Sequence, residues 1–134
     1  MKIFHRALTA LIIAGVSLLM IPAAFAHHSN AGFSMDTIKE ITGTVKEFQF
    51  RNPHSWIQVN VTDAAGKVTE WSVEWGSPNQ LGREGIRPGS FPPGATLTIK
   101  LHPMTSGAPM GGFIGAKFAD GKKLGRWDNP GGGE

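Results

Sequence analysis

From residue 38 onward the chain alternates between apolar and polar positions, and the alternation marks out strands. In IKEITGTVKEFQF (38–50), Ile41, Gly43 and Val45 share one phase, whereas Phe48 and Phe50 fall on the other. A switch of phase within an otherwise continuous run predicts one long strand bent at a bulge. WIQVNVTD (56–63) then places Ile57, Val59 and Val61 on one face, with Trp56 on the opposite phase. After DAAGK, a glycine-containing hairpin loop, VTEWSVEW (68–75) sets Thr69, Trp71, Val73 and Trp75 on one side and Glu70, Ser72 and Glu74 on the other.

The pattern breaks at SPNQLGREG (77–85). Ser77 is a suitable N-cap and Pro78 a suitable first helical residue, while Gly82 and Gly85 limit the helix to a turn or two. Alternation resumes in FPPGATLTIKL (91–101), where Leu97, Ile99 and Leu101 define a core face. TSGAPMGG (105–112) reads as a loop and FIGAKF (113–118) as a further strand. Asp120-Gly121 then favours a hairpin returning through Leu124. Three strands, a short helix and two or three more strands predict an all-β fold, an OB-like barrel of five or six strands. An open β-sandwich is the alternative. Residues 27–36 read as an irregular arm, and the glycine-rich residues 125–134 as a flexible tail.

The first 26 residues have another character. Lys2 and Arg6 precede an apolar run from Ala7 to Ile21, followed by Pro22 and by small residues at Ala24 and Ala26. This is the layout of a signal peptide cleaved after Ala26, and it directs the rest of the chain to the periplasm or the medium. The run is shorter than the roughly 20 residues of a spanning helix, and no second one follows. Cleavage leaves one domain, 27–124, with its tail. It also removes Lys2 and Arg6, which lowers the net charge from +3 to +1, so nucleic acid is not an expected partner. Cysteine is absent, which excludes disulfides, thiolate metal sites and thiol catalysis.

Cleavage after Ala26 changes the chemistry of AHHS. His27 then carries both a free α-amine and an imidazole, which can chelate one metal ion. A further imidazole from the fold completes three nitrogen donors, a set suited to Cu(II). His54, in RNPHSW, is the best third ligand, because Asn52-Pro53 turns the chain between two strands and leaves the ring on a rigid corner. His28 is an alternative donor, and His102 with Met104 in LHPM is a softer pair suited to Cu(I). Copper is thus the expected cofactor. Each histidine also has a plainer reading, as a polar chain start or a turn residue bonded to backbone carbonyls.

Trp56 and Trp71 are candidates for binding an envelope protein or a glycan on the face of strands two and three. Trp71 shares its phase with Val73, which equally fits core packing. Enzyme signatures are thin. Glu70 and Glu74 lie about 13 Å apart along a strand, beyond the roughly 5 to 9.5 Å of glycosidase carboxylates, and read as a solvated face. The glycines between Gly107 and Gly115 match no phosphate or dinucleotide loop. A copper oxygenase has the right terminus, but 108 residues leave little surface for a substrate platform.

Taken together, HHS, GTVKEFQFRNPHSWI, WSVEW, SPNQLGREGI, PGATLTI and ADGKKL resemble a family of small exported bacterial proteins known only as a domain of unknown function. Phe50 and Ile86 stand where that family often carries tryptophan. The resemblance covers nearly all of 27–124. It implies export and one small β-rich domain, and it supplies no activity, substrate or cofactor. The combined expectation is an exported binding protein that handles copper, with an envelope interaction domain as the alternative.

Overall fold

The computed structural model describes residues 32–131, so the expected leader and the histidines at 27 and 28 lie outside the described residues. Among the described residues six strands, β1 (Lys39–Gln49), β2 (Ser55–Thr62), β3 (Val68–Trp75), β4 (Thr96–Pro103), β5 (Met110–Phe118) and β6 (Lys123–Gly125), are accompanied by one short helix, α1 (Pro78–Arg83), between β3 and β4. They form a sheet of order β3-β2-β1-β4-β5-β6, and an additional pairing of β3 with β5 closes it. The closing pair is parallel and the others are antiparallel. A five-stranded mixed barrel of OB-like topology results, with β6 as an added edge strand.

The long first strand bends as its phase change predicts. Its register against β2 shifts between Val45 and Glu47, so Lys46 is the extra residue of a bulge. Upstream of the bulge Ile41 and Val45 face the interior; downstream Phe48 does. This lets one strand pair with β4 along its first half and with β2 along its second. At Gly43, where it passes between them, a Cβ would stand 2.4 Å from the Asn60 carbonyl oxygen and 2.9 Å from Val59 Cγ1. The first is backbone, and the second is a methyl of a short, branched side chain that is fully buried. Gly43→Ala is therefore expected to destabilise the barrel by about 1–3 kcal/mol, the usual range for overpacking, as read from the denaturation midpoint.

Inside the barrel, Ile57, Val59, Val73, Leu97, Ile99, Leu101 and Ala116 are buried in one cluster. Trp71, 9% exposed, belongs to the same cluster, so packing accounts for its apolar phase and it presents no open aromatic face. At the hairpin between β2 and β3, the Asp63 carboxylate accepts from the backbone N–H of Ala65 and of Lys67, both at 2.9 Å. The Ser77 hydroxyl caps α1 by accepting from Gln80 N–H at 3.4 Å, and Leu81 is buried.

Two stretches depart from the sequence expectation. Residues 110–112, read above as loop, are the first part of β5. Met110, Gly111 and Gly112 pair with Ser72, Val73 and Glu74 of β3, while Gly111 and Gly112 pair with Pro103 and His102 of β4. Glycine carries no side-chain periodicity to read, yet its bareness permits the fit: a Cβ on Gly111 would lie 2.6 Å from both the His102 carbonyl oxygen and Leu101 Cδ1. The chain also stays tied past residue 124. Arg126 N–H donates to the Ile114 carbonyl at 2.8 Å, Lys123 pairs with Asp128 at 2.6 Å, and Lys100 Nζ stands 4.3 Å from the centre of the Trp127 ring.

Candidate functional site

Closure of the barrel assembles a row of outward-facing positions across four strands. Trp56 of β2 pairs with Glu74 of β3, Glu74 with Gly112 of β5, and Gly112 with His102 of β4. Strands lie about 4.8 Å apart, so the backbones of Glu74 and His102 are separated by roughly two such spacings. Between them Gly112 contributes no side chain. Phe33 fills the gap: its ring carbons would be 3.2 and 3.4 Å from a Cβ at Gly112.

Phe33 belongs to the arm that precedes β1. This segment is fastened antiparallel to the end of β4: Phe33 bridges Met104, Ser34 N–H donates to the Pro103 carbonyl at 2.8 Å, and Thr105 N–H donates to the Gly32 carbonyl at 2.9 Å. A turn closes the arm, with Thr37 N–H donating to the Ser34 carbonyl at 3.0 Å. The Thr37 carbonyl then accepts from His102 Nδ1 at 2.9 Å.

Around this row lies a cavity of about 330 Å³, lined by Phe33 and Met35 from the arm, His54, Glu74, Trp75, His102 and Arg126, among others. The Trp75 and Phe113 rings, 4.0 Å apart between centres, form an aromatic wall. His54 enters from the corner before β2, after a cis Asn52–Pro53 peptide bond. Its Nδ1 pairs with the Glu74 carboxylate. The His54 side chain is 36% exposed and that of Glu74 only 16%. Glu74 is thus a half-buried partner of a histidine rather than part of a solvated face. Glu70 does lie on that face, paired with Lys46 at 2.6 Å with both side chains about half exposed.

Both histidines use Nδ1 in the same way. A carbonyl oxygen can only accept, so His102 donates from Nδ1 to Thr37; an ionised carboxylate can only accept, so His54 donates from Nδ1 to Glu74. With Nδ1 protonated in a neutral ring, Nε2 carries the lone pair. A histidine held by a carboxylate or a carbonyl in this manner has the outer-shell support found behind metal-binding imidazoles.

Of the residues singled out from sequence, His54 and His102 come together at one cavity. Met104 lies beside the arm, its Cε 3.3 Å from the position of a Cβ on Gly32, and is not among the cavity residues. Trp56 is half-buried at the end of the outer row. His27 and His28 fall outside the described residues, and among the described residues no three His, Asp or Glu side chains form a ready metal cage. Phe33 and Met35 escaped the sequence reading, which took Glu74 only as part of a solvated face. The register of the β2–β3 hairpin is the signal that could have found Glu74, because it sets Trp56, two residues from His54, opposite it.

These features define a small OB-like barrel with a histidine-bearing cavity at the docked arm. The chain belongs to a family of unknown function, DUF6152, whose model matches residues 16–113. No curated protein matches it. Among solved structures it is similar to the mitochondrial single-stranded DNA-binding protein Rim1 of S. cerevisiae, at 13% identity and a TM-score of 0.38, over 66% of this chain and 80% of that one. Among the described residues no helix is long and apolar enough to cross a membrane.

Proposed function

We propose that this is an exported copper-binding protein, in which the amine and imidazole of His27 chelate Cu(II) together with the Nε2 of His54. The observation that carries the reading is the pairing of His54 Nδ1 with Glu74 at the cavity edge, which leaves Nε2 as the lone-pair nitrogen. The arm supports it as well. Gly32 is fastened to Thr105, and the next residue, Phe33, lines the cavity. Four residues lie between His27 and Gly32, and the five steps of chain span at most about 18 Å when extended, a length that allows His27 to reach the cavity.

Imidazole and amine nitrogens suit Cu(II), whose affinity stands at the top of the first-row divalent series. The protein's role on this reading is to hold or pass on copper in the periplasm, without a reaction of its own. An α-amine has an ordinary pKa near 8 and must lose its proton to bind. Cu(II) affinity is therefore expected to fall as pH drops from 8 to 6. Mass spectrometry of the exported protein, followed by Cu(II) titration with the N-terminus free or acetylated, tests the proposal. A product starting at His27 whose affinity drops about 100-fold on acetylation supports it. A different first residue, or no effect of acetylation, overturns it.

A further inference from the structure

The arm that borders the cavity brings a methionine to His102. Phe33 bridges Met104 and Ser34 bonds to Pro103, the neighbour of His102, and Met35 follows directly in the arm. There the arm turns, and the carbonyl that closes the turn, Thr37, accepts from His102 Nδ1. The turn is thus bonded to the imidazole, and Met35 is one of its two middle residues. Met35 and His102 both line the cavity. Met35 is 46% exposed, one of three large apolar side chains so exposed among the described residues. Its thioether is therefore open at the cavity that the His102 ring also lines.

We infer that Met35 Sδ and His102 Nε2 form a soft two-ligand subsite that binds Cu(I). Thioether sulfur selects Cu(I), and imidazole serves copper in either oxidation state. The Thr37 carbonyl acts as a positioning group, because it fixes the His102 tautomer and joins the ring to the segment that carries Met35. The sequence offered Met104 as the thioether partner of His102; the arm places Met35 in that role. The inference rests on the copper reading above only in the choice of metal, since neither ligand requires a free N-terminus.

The test is anaerobic competition for Cu(I) against bicinchoninate, using the full chain with its leader uncleaved and the exported protein, each as wild type, Met35→Leu, His102→Ala and Met104→Leu. Leucine keeps the volume of methionine, and circular dichroism reports whether each variant is folded. Expected are Cu(I) binding by both forms of the wild type, a loss of about tenfold or more in Met35→Leu and in His102→Ala, no loss in Met104→Leu, and a sulfur neighbour in the copper X-ray absorption spectrum that disappears in Met35→Leu. Cu(II) binding by exported Met35→Leu should match the wild type. Unchanged Cu(I) affinity in folded Met35→Leu overturns the inference, as does failure of the wild type to bind Cu(I). Cu(I) binding without Cu(II) binding sustains it and removes the N-terminal chelate instead.

Discussion

Replacing His54 with alanine is expected to lower the Cu(II) affinity of the exported protein by about 100-fold while leaving the barrel standing. Removal of a group acting only through a ligand costs 10–100-fold in metal affinity, and a lost nitrogen donor belongs at the upper end. The fold has little at stake in this ring: the side chain is 36% exposed, and a part-exposed ion pair contributes about 0–1 kcal/mol. Glu74→Gln separates ligand from support. Glutamine keeps the shape but loses the carboxylate that holds Nδ1–H, so affinity should fall about tenfold with His54 still present. Trp56→Ala, at the end of the same row, should leave copper binding intact. Isothermal titration with Cu(II) reads all three. Equal affinities in wild type and His54→Ala would return His54 to the part of a turn residue.

The contrast between His54 and Glu74 shows how far the sequence reached. His54 was legible because proline fixes a corner locally, and a corner can be read from a few adjacent letters. Glu74 was not, because its role depends on which strand lies opposite; three residues away from Trp71 it looked like any polar position on an alternating strand. Strands β2, β3 and β4 were readable for the same local reason, each repeating with period two over a length sufficient to show it. By contrast, closure of the barrel depends on β3 meeting β5 in parallel at Gly111 and Gly112, where bare backbone leaves no pattern of side chains. Likewise the arm at 32–37 has no period of its own and takes its shape from the end of β4. The cavity therefore lies where long-range pairing, rather than local alternation, decides the structure.

Phe91 carries the largest expected effect on stability. It sits between the helix and β4, in a segment whose prolines and glycine read as a turn, yet it is fully buried. Phe48, Trp75, Phe113 and Phe118 surround it with ring centres 5.1, 6.0, 6.1 and 5.6 Å away, the Trp75 and Phe113 contacts edge-to-face. Those partners come from β1, β3 and β5, so one side chain ties three strands of the barrel together. Alanine there removes the ring and leaves a cavity that four rigid neighbours cannot collapse to fill. A loss of about 3–5 kcal/mol is expected for Phe91→Ala, against a total of about 5–15 kcal/mol for a domain, as measured by urea denaturation. Leucine should recover part of that loss by refilling volume without restoring the edge-to-face contacts, each worth about 0.5–1.5 kcal/mol beyond burial. Because Trp75 and Phe113 also form the aromatic wall of the cavity, the alanine variant should bind copper more weakly even where it remains folded. A variant that lost less than 1 kcal/mol would show that the barrel end repacks freely, and the cavity wall would then be no fixed scaffold for the histidines beside it.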